Sequence, residues 1–289
     1  MSGPITRSVS RPAGLSPALV ARLQKTEDQH KYDHGHALVL AGGPGKGGAA
    51  RLAARAALRV GAGLVTVISP RAAMAEHAAH LTAVMLRPLD RPEALAGILR
   101  DRRLNALCIG PGFGVGARTR VAVATALAAG RGTVLDADAL TSFAGAPSEL
   151  FAQLHHNCVL TPHDGEFARL FGPAAPGGAE RVTSVSEAAA RAGCTVLLKG
   201  PETLVAGAGG EVATVRLRGA TAAPWLATAG SGDVLAGLIC GLLARGFSAG
   251  QAAETAAHLH GMAGRRLGAG LIAEDLPDAL PGVFADLGL

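Results

Sequence analysis

The sequence predicts an α/β fold in a single domain: a central, mostly parallel sheet with helices on both faces. Three observations carry this expectation. Short apolar runs recur, and most lead through a Gly-rich or polar turn into a helical run. The runs are apolar throughout rather than alternating, so both faces of each strand are buried, as parallel sheets require. No linker, internal repeat or low-complexity tract interrupts the chain. Its 289 residues, 49% hydrophobic and 17% charged, suffice for one sizeable core.

The elements follow in order. Residues 1–30 read as an N-terminal extension, aperiodic apart from a short helical run at Pro17–Lys25, and the domain spans 31–289. Met1–Leu15 lacks the apolar core of a signal peptide; its Arg and Ser content faintly suggests a transit peptide, but a disordered tail is the better reading. His36–Leu40 is a strand and Ala49–Val60 a helix. Leu64–Ile68 and Ala106–Ile109 are strands, and Val121–Ala129 is helical. Thr133–Leu135, Val159–Leu160 and Thr195–Leu198 are further buried strands. Leu204–Ala206 and Val212–Val215 flank a Gly-rich turn and read as a hairpin at one sheet edge.

Composition removes several functions. One Trp and one Tyr leave little for stacking on nucleic-acid bases. The net charge of +5 comes largely from scattered Arg, which fits solvated faces or a mild attraction for an anionic substrate. The four Cys lie in apolar runs, and none forms a Cys-x-x-Cys pair. They read as buried small hydrophobes in a reducing, cytoplasmic setting, without zinc. The longest apolar run, Val234–Leu243, is too short to cross a membrane.

The polar motifs stand just after the strands, so they converge on the edge where open α/β sheets bind ligands. The most informative is Thr228–Gly232, a small-residue turn opening an apolar helix. Free amides at a helix start attract anions, and Gly230 and Gly232 remove side chains that would block a ligand. Asp233 at its edge suits proton acceptance during phosphoryl transfer, or alternatively an N-cap.

Gly43–Gly48 formally matches a dinucleotide loop. The next strand ends at Ile68-Ser69-Pro70, without the acidic residue that would hold ribose. It also fails as a P-loop, because Gly47 follows Lys46 where Ser or Thr should stand. A substrate loop or a plain tight turn remains. Gly110-Pro111-Gly112 is a turn, or a place where backbone meets a ligand. Asp136 and Asp138 suit magnesium, a sugar hydroxyl or an N-cap. Thr161–Glu166 opens a helix that Asp164 or His163 caps, and His163 is equally placed to meet a ligand. Lys199 at a strand end suits phosphate. His258 and His260, two apart on a helix, face different ways and read as structural.

Taken in order, Lys31-x-x-x-Gly35, Gly110-Pro111-Gly112, Leu135–Leu140, Thr161-Pro162-His163-x-Gly165-Glu166, Lys199-Gly200 and Gly230-Ser231-Gly232-Asp233 resemble the ADP- or ATP-dependent NAD(P)H-hydrate dehydratases of the ribokinase-like superfamily. The resemblance covers roughly residues 30–286. It implies a ribokinase-like fold and repair of a nicotinamide cofactor whose ring has taken up water. Many relatives carry an additional N-terminal epimerase domain, for which this chain is too short, so the dehydratase activity alone is implied.

The resemblance also implies roles. Thr228, Gly230, Ser231 and Gly232 hold the nucleotide together with Lys199, Gly200, Pro201, Glu202 and Thr203. Asp233 is the catalytic base at the substrate hydroxyl. Ala41, Gly112 and His163 contact the hydrated dinucleotide. Glu166 falls where related kinases place a carboxylate that organises magnesium. ADP or ATP with Mg2+ is the implied cosubstrate, ADP being commoner among bacterial relatives. A homo-oligomer is implied too, with Ala252–Leu267 as interface or core. Asp164 adds a charge at a variable position, and Lys46 adds a cation that could meet a substrate phosphate. Two alternatives stay open: a kinase of a small alcohol, which would stop at a stable phosphate ester, and a non-catalytic nucleotide sensor.

Overall fold

The computed structural model describes residues 14–289. The expected N-terminal tail lies outside them, apart from Gly14 and Leu15. The strands are β1 (His36–Leu40), β2 (Leu64–Ser69), β3 (Met85–Pro88), β4 (Leu104–Ile109), β5 (Gly132–Leu135), β6 (Cys158–Leu160), β7 (Thr195–Leu198), β8 (Glu202–Ala206) and β9 (Val212–Arg216). The helices are α1 (Pro17–Leu23), α2 (Gly48–Arg59), α3 (Met74–His80), α4 (Leu95–Ile98), α5 (Ala117–Ala128), α6 (Asp138–Thr141), α7 (Pro147–Phe151), α8 (Asp164–Phe171), α9 (Gly178–Ala192), α10 (Ser231–Ala244), α11 (Ala249–Leu267) and α12 (Asp275–Asp286).

The strands form one nine-stranded sheet in the order β3-β2-β1-β4-β5-β6-β7-β8-β9. It is parallel from β3 to β7 and antiparallel across β7, β8 and β9. The expected hairpin is therefore the sheet edge. The chain runs outward from β1 to β3 and then returns to β4 on the other side of β1. The switch point lies between β1 and β4, where ligand crevices of such sheets open.

Both faces are covered, and the two cores differ in grain. On β1, Ala37 and Val39 face one core while Leu38 and Leu40 face the other. On β4, Ala106 and Cys108 join the first core, and Leu107 and Ile109 the second. The first face carries small residues because helices approach it closely. Within it, a Cβ on Gly237 of α10 would lie 2.1 Å from the Ala53 carbonyl oxygen of α2, and one on Gly241 would lie 2.6 Å from that of Ala57. Two glycines four apart thus form a groove for the alanines of α2. From Val234 to Ala244 every residue of α10 is buried. Its all-round apolarity reflects this central place, and among the described residues no helix is long and apolar enough to cross a membrane.

Residues before the expected boundary at 30 pack with the domain. Leu19 and Leu23 of α1 join the first core. Arg245 donates to the carbonyls of Arg22, Leu23 and Gln24. α11, expected as interface or core, is core over most of its length. All four Cys are buried and unpaired.

Filling the α10–α2 groove should therefore be costly. Gly237→Val is expected to lower stability by about 2–3 kcal/mol, ~4–10 °C in melting temperature, as calorimetry or thermal denaturation would record.

Candidate active site

Parallel register brings the residues after three adjacent strands together. Leu135 of β5 pairs with Leu160 of β6, which pairs with Val196 of β7. The turn backbones continue the ladder, Thr161 N–H donating to Leu135 O and Lys199 N–H to Pro162 O. Asp136, Thr161 and Lys199 thus meet at one edge. Asp136 is buried, and its Oδ1 accepts from Lys199 Nζ and from Thr161 Oγ1, each at 2.8 Å. Lys199 Nζ also lies 3.9 Å from Glu166 Oε2.

Glu166 stands in the first turn of α8. Its Oε2 accepts the His163 N–H at 2.9 Å, and His163 Nδ1 accepts the N–H groups of Gly165 and Glu166. This reciprocal cap decides between the two expected caps in favour of His163. Asp164 instead pairs with Arg181 at 2.5 Å, which meets its added charge.

Above Lys199 sits the start of α10. Gly230 enters the helix at φ +86°, and a Cβ there would meet Leu52 and Ala273 at 2.7 and 2.9 Å. Only glycine makes this turn without strain. No side chain caps α10, and among the described residues the N–H groups of Gly232 and Asp233 have no acceptor. Lys199 Nζ lies 3.5 Å from where a Gly232 Cβ would be. Two free amides and an ammonium therefore converge, the arrangement that suits a phosphoryl group.

Asp233 shares this space. Its pKa is raised to about 6, chiefly by burial, then by repulsion from Asp136; Lys199 pulls it down and Asp138 pushes it further up. Burial also works against the Lys199 charge, but Asp136, bonded to it, outweighs burial with help from Glu166 and Asp233, so that its pKa is raised. The ammonium stays charged while the aspartate is poised near neutrality, as a general base requires.

A cavity of about 510 Å³ opens beside these groups. Its polar end carries Lys199, Thr228, Ser231 and Gly232; its apolar wall is Leu217, Ala223, Pro224 and Leu226. A charged end and an apolar slot match the two halves of a nucleotide.

A family model described as NAD(P)H-hydrate dehydratase matches residues 37–281. The chain belongs to the NAD(P)H-hydrate dehydratase family. It is similar to the bifunctional NAD(P)H-hydrate repair enzyme Nnr of Salinibacter ruber, at 39% identity over 277 residues, covering 90% of this chain and 50% of that protein. The Nnr of Moorella thermoacetica is 38% identical, with 89% and 51% covered. The chain thus spans about half the length of the curated relatives it matches. A crystal structure of the ADP/ATP-dependent NAD(P)H-hydrate dehydratase of Bacillus subtilis, co-crystallised with ATP/Mg2+, superposes with a TM-score of 0.78 at 29% identity, covering 93% of this chain and 96% of that one. A ribokinase-like superfamily protein of Enterococcus faecalis matches with the same TM-score at 25% identity, covering 94% and 95%.

Within this dehydratase fold the expected nucleotide residues divide. Lys199, Gly200, Pro201, Thr203, Thr228, Ser231 and Gly232 line the cavity. Gly230 shapes the turn without lining it. Glu202 does not line the cavity: it begins β8, stands opposite Arg216 in register and pairs with it at 3.3 Å. Strand alternation turns Thr203 to the cavity and Glu202 away.

Among the expected substrate contacts, His163 lines this same cavity. Gly112 is half-buried at the β1–β4 switch point, where a Cβ on Gly42 would lie 2.0 Å from its carbonyl oxygen. Ala41 is fully buried, its N–H bound to Ile68 O, and its side chain is closed to a ligand. Lys46 is exposed on the adjoining loop.

Four features escaped the sequence reading. Asp136 was visible as a carboxylate, but its ion pair with Lys199 spans 63 positions. Asp138 Oδ2 accepts the Gly114 N–H at 2.8 Å, tying two crevice loops together. Between these carboxylates Ala137 sits at φ +46°, the only non-glycine with positive φ among the described residues, strain of a kind that clusters at functional sites. His260, read as structural, lines the cavity and bonds to Ser231.

Two outcomes follow for Asp233. Asp136→Asn removes the repelling charge, so Asp233 should titrate below its present value of about 6, observable as a shifted carboxyl-carbon NMR titration. Because folding raises this pKa from 3.8, ionised Asp233 weakens the fold above about pH 6 and not below 3.8. Asp233→Asn should then stabilise the protein by about 1–3 kcal/mol at neutral pH, and the gain should vanish in acid when unfolding is followed against pH.

Proposed function

We propose that this chain catalyses nucleotide-dependent dehydration of NAD(P)H hydrate, returning NAD(P)H, with ADP or ATP as phosphoryl donor. The observation that carries the reading is the pairing of a carboxylate whose pKa is raised to about 6 with an anion cradle: Asp233 beside the free amides of Gly232 and Asp233, over Lys199. The similarity to the Bacillus subtilis dehydratase supports the substrate class.

The chemistry follows from what a hydroxyl needs in order to leave. Hydroxide is a poor leaving group at neutral pH; phosphate is a good one. Asp233 takes the ring hydroxyl's proton as its oxygen forms a bond to the terminal phosphorus and the nucleotide's bridging oxygen departs, ADP giving AMP or ATP giving ADP. The cradle amides and Lys199 hold the charge on the transferring group. The ring nitrogen's lone pair then expels phosphate as the C–O bond breaks, and loss of the neighbouring carbon-bound proton restores the dihydropyridine. The second stage draws on the substrate's own electrons, so the protein has to supply little beyond a kinase site.

Lys199, Gly200, Pro201, Thr203, Thr228, Ser231 and Gly232 are assigned to the nucleotide, and Gly112, His163 and Asp233 to the hydrate. Among the described residues no group of three or more His, Cys, Asp or Glu is placed to hold a metal ion. The donor set therefore fits an Mg2+ that arrives with the nucleotide and keeps phosphate and water ligands. Asp136 and Glu166 would hold it, directly or through water. Bound there, magnesium supplies positive charge to the phosphates.

The test is to incubate the protein with hydrated NADH, Mg2+ and ADP or ATP and to follow the near-ultraviolet absorbance of dihydronicotinamide. It should rise as free phosphate appears; a stable phosphorylated product would instead mark a kinase. Asp233→Asn should keep nucleotide binding and lose turnover by about 10²–10⁴-fold. A variant turning over at the parental rate would remove Asp233 as base.

A further inference from the structure

The loops after β1, β4 and β5 form a continuous rim that leads from Asp136 toward the far side of the sheet. A Cβ on Gly110, after β4, would lie 1.7 Å from the Asp136 carbonyl oxygen. Two residues on, a Cβ on Gly112 would lie 2.8 Å from the Lys46 carbonyl oxygen, and one on Gly42, after β1, would lie 2.0 Å from the Gly112 carbonyl oxygen. Backbone therefore lies on backbone from Asp136 to the Gly43–Gly48 loop, with no side chain between. The rim crosses the β1–β4 switch point, where open sheets take their ligands, and it includes Gly112, assigned above to the hydrate.

Glu76, on α3, holds the loop at the end of this rim. Its Oε2 accepts the Gly45 N–H at 2.8 Å, and its Oε1 accepts from Arg51 Nη1 at 2.8 Å. Among the described residues this is the only hydrogen bond from residues 43–48 to anything beyond the loop and α2. Gly47 seats the loop on the same group: a Cβ there would meet Arg51 Nη1 at 2.7 Å, His77 Cε1 at 2.8 Å and Glu76 Oε1 at 3.0 Å. His77 is fully buried, and neither ring nitrogen has a hydrogen-bond partner among the described residues, so it packs against the loop without tying it. Arg51, then the Gly45 N–H, keep the Glu76 carboxyl below its ordinary pKa, and a charged acceptor on a backbone N–H makes a strong bond. The loop carries Lys46, exposed and without an ion pair among the described residues. The hydrate is a dinucleotide, so with its ring at Asp233 most of its length lies beyond the catalytic groups. The rim offers it a floor of bare backbone that ends at an uncommitted cation.

We propose that Glu76 is a positioning residue for the hydrate: by tying Gly45 it keeps the Gly43–Gly48 loop against Gly112 and completes the far end of the substrate's binding surface, touching neither the reacting atoms nor the donor nucleotide. This rests on the dehydratase reading of the site.

Steady-state turnover of hydrated NADH with Mg2+ and ADP or ATP is compared in wild type, Glu76→Ala and Glu76→Gln, and the nucleotide Kd of each is measured by calorimetry. In Glu76→Ala the KM for hydrate should rise about 5- to 50-fold, while kcat and the nucleotide Kd stay within about twofold of wild type. Glutamine keeps an acceptor for the Gly45 N–H, so Glu76→Gln should restore most of the KM. A merely structural role would lower kcat with the folded fraction and leave KM alone, which overturns the proposal. So does a nucleotide Kd that weakens by the same factor as the hydrate KM. Should the alanine variant not fold, the wild-type Gly45 amide decides: its hydrogen exchange, followed by NMR, should slow at least about tenfold when the product NADH saturates the site, and an unaltered rate overturns the proposal. Wild-type protein that turns over no hydrate ends the dehydratase reading and this proposal with it; wild-type turnover that both variants match ends the proposal alone.

Discussion

Three carboxylates and one ammonium share the space beneath the first turn of α10. Lys199 answers Asp136 directly, reaches toward Glu166 and acts on Asp233 through space. One positive charge cannot satisfy three negative ones. Lys199 is committed to Asp136, the most buried of them, and Asp233 carries the imbalance as a raised pKa. A cluster this acidic would repel phosphate if side-chain charge were all that mattered. The free amides of Gly232 and Asp233 oppose that repulsion, and so would a cation brought by the nucleotide. On the proposed reading the site is completed by nucleotide and cation, which would let an acid with a tuned pKa persist in a fold that would be more stable without it.

The scaffold earns this arrangement through register. Parallel pairing of β5, β6 and β7 sets Asp136, Thr161 and Lys199 side by side, and continuing ladder bonds fix the turns that carry them. The fourth participant comes from across the sheet. α10 reaches the site because Gly237 and Gly241 let it settle against the alanines of α2, and its N-terminus falls over Lys199. Packing remote from the chemistry therefore sets the distance between amides and ammonium.

Much of this was legible in the sequence, and what was legible had local causes. Wholly apolar strands that end in polar turns exposed β1, β2 and β4–β7 to within about two residues, and the Gly-rich turn exposed the edge hairpin. The cradle at Gly230–Asp233 was readable because its glycines and helix start are consecutive. β3 was not: Met85–Pro88 is a short edge strand closed by proline, with little apolar content to announce it. Glu202 faces Arg216 because of strand alternation, about which motif proximity says nothing. Ala41 follows β1 into the core, where its side chain is enclosed, which the apolar run alone did not show. His260 carried no local signal; only the packing of α11 beneath Ser231 brings it to the cavity.

The fate of one oxygen atom tests the central claim most directly. Hydrate carrying a heavy oxygen isotope in its ring hydroxyl is turned over with unlabelled ADP or ATP, and the released phosphate is analysed by mass spectrometry. If the Asp233-activated hydroxyl attacks phosphorus and departs as phosphate, each phosphate formed carries the label. Label recovered in water, with unlabelled phosphate, would contradict the phosphorylation route and the role assigned to the cradle.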